Sequence, residues 1–129
     1  MKLQQAIDRV DEMRPNMMSR ELKIAALSEL DGLIWKEIIV KHYPLPGEEI
    51  RLAPMPEYDS DTDPGTILLV RKPYDNLYLY WLCAKVDEQT LEQEKYNNDQ
   101  AMFAAAYESF SDYWTRTHMP ITHTRELRI

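Results

Sequence analysis

The nineteen residues Tyr96-Asn97-Asn98-Asp99-Gln100-Ala101-Met102-Phe103-Ala104-Ala105-Ala106-Tyr107-Glu108-Ser109-Phe110-Ser111-Asp112-Tyr113-Trp114 place Tyr96, Phe103, Tyr107, Phe110 and Trp114 at spacings of seven, four, three and four. Such spacings put the five rings on one face of a helix, whereas strand alternation would set Phe103 and Phe110 on opposite faces. Ala104, Ala105 and Ala106 favour helix intrinsically and let a neighbouring helix come close. The spacing predicts the longest helix over about 92–117. Asn97, Asn98 and Asp99 are poor interior residues, so they offer the alternative of capping a shorter helix. Arg116 and His118 suit the negative end of the helix dipole, and Pro120 cannot continue the hydrogen-bond ladder.

Working outward, ten of the thirteen aromatic residues lie between Tyr74 and Met119, which places the expected core there. A chain of 129 residues is long enough for one hydrophobic core and too short for two comfortable ones. Its 44% hydrophobic and 29% charged residues are those of an ordinary soluble protein. The formal charge of -7, with no run of basic residues, argues against a phosphate-binding surface. The single Cys83 excludes an intramolecular disulfide and a multi-cysteine metal site, and reads as a small buried hydrophobe. Asp8, Asp11 and Glu12 interrupt any apolar leader, and no apolar run reaches the ~18 residues of a membrane span. An intracellular, soluble chain is the expectation.

Upstream, Leu3, Ala6, Ile7, Val10 and Met13 repeat at three and four, predicting a first helix over about 2–13 that Pro15 stops. Ser19 is the N-cap of a second helix over about 19–42, with Glu21 in its first turn. Leu22, Ala26, Leu30, Leu33, Ile34 and Ile38 form its apolar face, widened by Ile24, Leu27 and Trp35. Gly32, in the middle, reads as a close helix crossing or a kink; the alternative is that Asp31-Gly32 divides two helices. Residues 43–72 hold five of the eight prolines and two of the three glycines. Either an irregular Pro-rich loop results, or a small β-hairpin pairing Glu49–Leu52 with Thr66–Val70. Asp75 then caps a third helix over about 75–88, with Tyr74 and Leu79 as a hydrophobic staple and Leu77, Tyr80, Trp81 and Ala84 facing inward. No Gly or Pro marks the reversal into the last helix. The fold class expected is mainly α: a four-helix bundle-like domain, residues 1–119, with the loop or hairpin between helices two and three and a C-terminal tail, 120–129.

Motifs for chemistry are sparse. Asp59, Asp61 and Asp63 begin a calcium-loop pattern, but Pro64 stands where glycine is needed and Val70 where a bidentate glutamate is needed, so a solvated acidic turn is the better reading. His42, His118 and His123 lack helical zinc spacing. None of the five serines lies in a G-x-S-x-G turn, and the glycines are too scattered to cradle a phosphate. Tyr74, Tyr78, Tyr80 and Trp81 lack the interleaved cations of a nucleic-acid platform and read as core plus protein interface. The expectation is no catalytic residue, no cofactor and no metal.

The order of these elements carries a resemblance. Leu30-Asp31-Gly32-Leu33-Ile34-Trp35-Lys36-Glu37-Ile38-Ile39, Pro73-Tyr74-Asp75-Asn76-Leu77-Tyr78-Leu79-Tyr80, Lys95-Tyr96-Asn97-Asn98, Ala101-Met102-Phe103 and Arg116-Thr117-His118-Met119-Pro120 together resemble small helical head-tail connector proteins of tailed phages and prophages. The resemblance runs from about Met1 to Pro120. It implies a structural protein and not an enzyme: an adaptor subunit, able to exist as a monomer, that assembles into a homo-oligomeric ring. Its implied partners are the portal protein and the next connector or tail component. Assembly in the bacterial cytoplasm and residence in the virion follow, without membrane or sequence-specific nucleic-acid contact, and with DNA passing through an acidic ring. In such families the loop between the middle helices and the last segment reach neighbours. Here that points to Tyr58, Asp59, Asp61 and Asp63 in the loop, and to Arg116, Met119, Ile121, Arg125, Leu127 and Ile129 at the end. Apart from the resemblance, the last residues read equally as a docking tail or a frayed terminus. The alternative function is a cytoplasmic helical protein–protein interaction or regulatory module, with an enzyme third.

Overall fold

A computed structural model describes residues 1–48 and 53–121. Four α-helices follow one another: α1 (Leu3–Met13), α2 (Arg20–Glu37), α3 (Leu77–Gln89) and α4 (Gln93–Thr117), with a 3-10 turn at Ile39–Lys41 after α2. The mainly helical, bundle-like class expected from the sequence is what forms. Among the described residues no strand is present, only isolated antiparallel bridges between Lys2 and Ile67 and between His42 and Pro120.

The core sits elsewhere than the aromatic count suggested. It is mostly aliphatic, from α1 (Leu3, Ala6, Ile7, Val10), α2 (Ile24, Leu27, Leu30, Ile34) and α3 (Leu77, Leu82, Val86), with Leu68 and Val70 from the long loop. Of the aromatic face of α4 only Phe110 and Trp114 are buried, while Phe103 and Tyr107 pack partly exposed against it. The central element is α3, which touches α1, α2 and α4. It is enclosed on most sides, with Tyr78, Leu79, Leu82, Cys83 and Asp87 buried, whereas Tyr80 and Trp81, expected inside, are half-buried.

Ser19 caps α2 as its sequence requires, its Oγ accepting from Leu22 N at 3.2 Å. The buried stripe of α2 is rotated from the expected one. It centres on Ile24, Leu27, Asp31 and Ile34, and leaves Leu22 and Leu33 exposed. A carboxylate in the middle of the stripe hides it from a purely apolar count. Gly32 neither divides the helix nor admits another helix: a Cβ there would meet only Met55 Sδ of the long loop, at 3.8 Å. The α-helix ends at Glu37, short of the expected 42, and the tighter turn follows.

Residues 49–52, the first half of the expected hairpin, lie outside the described residues. The second half pairs with the start of the chain: Leu3 N donates to Thr66 O (2.8 Å) and Leu68 N to Met1 O (3.0 Å). Asp75 is not the cap of α3, which starts at Leu77 after Asn76. Its carboxylate is buried and ion-pairs with the Met1 ammonium at 3.5 Å. Tyr74 is likewise used against α4, stacked on Tyr113 (centroids 4.7 Å apart) and edge-on to Phe110. In α4, Asn97, Asn98 and Asp99 are interior helical residues, and Ala104 and Ala105 face solvent instead of a neighbouring helix.

Beyond α4 the chain stays tied to the body. Tyr43 N donates to Met119 O and Ile121 N to Lys41 O, both at 2.8 Å, so Pro120 and Ile121 belong to the folded unit expected to end at 119. The His118 ring stacks on Trp114 with centroids 3.7 Å apart, and its Nε2 lies 2.9 Å from Glu48 Oε1. This joins the end of α4 to the segment after α2.

The α3–α4 reversal lacks a glycine because Leu91 takes the left-handed conformation itself (φ 59°). Glu92 N donates to Asp87 O at 2.9 Å and Leu91 N to Glu88 O at 3.4 Å, the paired bonds of a left-handed helix C-cap. An L-residue with a Cβ pays about 1–2 kcal/mol there. Leu91 is 90% exposed, so its side chain contributes little packing in return. Leu91→Gly is expected to raise stability by roughly 0.5–1 kcal/mol, after the greater chain entropy of unfolded glycine is subtracted. Urea unfolding monitored by circular dichroism measures it, and a loss of stability would contradict this account of the turn.

Candidate partner interface

Asp31 on α2 has no solvent exposure. Its Oδ2 accepts from Tyr58 OH (2.5 Å) and Leu69 N (3.1 Å), and its Oδ1 from Tyr78 OH (2.6 Å). Tyr78 OH in turn accepts from Val70 N at 2.8 Å. A buried carboxylate is costly unless hydrogen-bonded, and three donors from two segments meet that requirement. Burial raises the Asp31 pKa against the opposing pull of these bonds. Burial and the adjacent carboxylate also push both tyrosine hydroxyls up, so Tyr58 and Tyr78 remain donors.

This network lays the long loop along α2, and Tyr58 N adds a bond to Ser28 Oγ at 3.0 Å. Between helix and loop runs a groove of about 570 Å³. Gly32, Leu33, Met55 and Pro56 give it apolar walls, while Glu29, Lys36, Glu57 and Asp59 supply charge. Tyr58 and Asp59, both singled out in the sequence, line this groove, but Tyr58 is also a pin of the fold and only half exposed. Leu33 was assigned to the core and Met55 to no role. Gly32 and Asp31 inside an otherwise apolar helix were the signal for both: one leaves space, the other anchors the loop beside it.

Asp59, Asp61 and Asp63 are exposed. Asp59 Oδ1 accepts from Asp61 N at 2.9 Å and Asp63 Oδ1 from Gly65 N at 2.7 Å, which makes them turn-formers. This acidic turn lies beside the start of α1, where Gln4 N donates to Pro64 O at 3.1 Å.

The second set of residues is elsewhere. Arg116 and Met119 are exposed and Ile121 is half-buried, all at the end of α4 beside residues 41–43. No hydrogen bond or ion pair joins them to the acidic turn among the described residues. Arg125, Leu127 and Ile129 lie outside the described residues. Met119 is 72% exposed and its O accepts from N of Tyr43, a second exposed apolar residue, in the segment from 43 to 72 expected to be a loop or hairpin.

Cys83 is buried, as its apolar flanks suggested, and burial pushes its thiol up to about 11. Among the described residues no group of three or more His, Cys, Asp or Glu is placed to hold a metal ion, and no helix is long and apolar enough to cross a membrane. Comparison of the chain with protein-family models, with curated proteins and with solved structures gives no match.

Removing donors from Asp31 should reveal the hierarchy of the network. Tyr78→Phe leaves one carboxylate oxygen and Val70 N without a partner in a buried site, and is expected to cost about 2–4 kcal/mol. Tyr58→Phe, at a half-exposed position where water can substitute, should cost about 1–2 kcal/mol. Chemical denaturation of both variants measures the order; equal costs, or a larger one for Tyr58→Phe, would contradict it.

Proposed function

We propose that this chain is a head-tail connector subunit of a tailed phage or prophage, forming a homo-oligomeric ring on the portal protein and receiving the next connector or tail component. Two kinds of observation support the reading. The first is the resemblance carried by the stretches around Leu30–Ile39, Pro73–Tyr80 and Arg116–Pro120. Polar residues inside those stretches hold segments together: Asp31 and Tyr78 fix the loop, Asp75 holds the Met1 ammonium, and His118 meets Glu48. They are residues of architecture, as a structural subunit needs.

The resemblance carries the reading; the second observation is that exposed Met119 and Tyr43 lie on two segments joined through their backbones. Met119 O and Ile121 N are both bonded to the segment after α2, so the two segments are tied together. The formal charge of -7 suits a ring through which DNA slides, since acidic walls do not compete for phosphates.

Co-expression with portal proteins of tailed phages, followed by native mass spectrometry and negative-stain imaging, tests the proposal. A stoichiometric ring capping the portal is expected, and Met119→Asp should weaken its assembly by about tenfold or more while leaving the thermal midpoint of the free subunit unchanged. A chain that remains monomeric or dimeric and ignores the portal would overturn the connector reading in favour of a helical interaction or regulatory module.

A further inference from the structure

Where the end of α1 meets α3 and α4, a charge cluster lies outside both interface regions. Arg14, the residue after α1, directs Nε to Asp87 Oδ1 on α3 at 3.3 Å and Nη2 to Asp99 Oδ2 on α4 at 3.4 Å. Asp87 and Asp99 are 1% and 4% exposed. One guanidinium therefore serves two buried carboxylates, and with both ionised the site carries an excess negative charge. Asp87 Oδ2 is buried and receives no hydrogen bond. An unsatisfied buried carboxylate oxygen calls for a donor. Asp99, the other carboxylate on the Arg14 guanidinium, can supply one only when protonated.

We propose that Asp87 and Asp99 hold one proton between them, and that this proton closes a pH-sensitive latch between α3 and the first two turns of α4. In the closed state the proton, taken from water, sits on Asp99 Oδ1 and is donated to Asp87 Oδ2. Arg14 keeps its bonds to the other oxygen of each. When the proton returns to water, two like charges face each other across one arginine, and the α3–α4 contact weakens there.

The surrounding groups leave these two as the ones that exchange the proton. Arg14 is cationic throughout, and the Cys83 thiol on α3, held up near 11 mainly by burial, stays neutral. Glu92 and Lys95 line the small cavity that Arg14 and Asp87 share, and offset one another in charge. Burial first, then Asp87, raises the Asp99 pKa to about 6 against the opposing pull of Arg14. A carboxyl group with a raised pKa in the native state binds protons there that the unfolded chain has already released. Stability from this site is therefore greatest at low pH and falls as pH rises from about 4 to about 6. Asp31 contributes with the same sign, so the latch is read as a difference between variants. The inference is independent of the connector proposal.

Side-chain carboxyl ¹³C titration of the full chain tests it directly. The expected result is an Asp99 midpoint near 6. A midpoint in the ordinary range near 4 would overturn the proposal. In urea unfolding, the wild-type unfolding constant should rise between about pH 4 and pH 7 by up to ~100-fold more than that of Asp99→Asn. Asp112→Asn, exposed on the same helix, should behave as wild type. Equal pH dependence in wild type and Asp99→Asn would also overturn it. If Asp99→Asn does not fold, the wild-type titration decides alone. Amide exchange over residues 97–101, corrected for intrinsic rates, should accelerate above about pH 6 in the native protein, and pH-independent protection there would remove the latch.

Discussion

One buried carboxylate constrains this structure more than any other group. Among the described residues no salt bridge reaches Asp31; its carboxylate accepts from two tyrosine hydroxyls and one backbone amide, and the N-terminal ammonium acts on it from farther away. Inside a protein such bonds are strong and their absence is costly, so burying the carboxylate requires Tyr58, Leu69 and Tyr78 to be brought to it. That requirement sets the rotation of α2, the rotation of α3 and the course of the chain between them. The loop then offers its Thr66–Leu68 backbone to the first residues of the chain, which seats α1. The stretch 53–76, without helix or strand, thus becomes part of the core through Leu68 and Val70.

The helices were legible because apolar residues recur at helical spacing, and Ser19, Pro15 and Pro120 punctuate them. What could not be read was rotation. In α2 the buried stripe runs through a charged residue, so an apolar count favoured Leu22 and Leu33, which lie at its edge and outside it. In α4 the aromatic face is real, but most of its rings only cap the outside of α3. The α3–α4 reversal was expected between about 88 and 92; what could not be read was its left-handed residue, because Leu91 stands where glycine is expected. Pairing of Ile67 with Lys2 was invisible for a different reason: two short segments far apart in sequence carry no local signal of each other.

The candidate interface was half legible. Tyr58 and Asp59 do line a groove, yet the groove exists because Gly32 leaves space and Asp31 holds the loop alongside. Met119 was named from the resemblance and Tyr43 was not, because the bridge between residues 41–43 and 119–121 brings the two together only in three dimensions. The connector proposal joins these surfaces to a rigid helical body. The Arg14–Asp87–Asp99 cluster belongs to another part of that body, and its interest is electrostatic: too many carboxylates for the cations present.

Native-state hydrogen exchange at the Leu69 and Val70 amides tests most directly whether Asp31 organises the fold. Both sit in a segment without helix or strand, and both donate into the network. If the network is the constraint described here, they exchange only on global unfolding, with the same free energy as amides in the middle of α3. Exchange through local opening, orders of magnitude faster than the helix and close to that of the exposed acidic turn, would show that the loop is merely draped over the core.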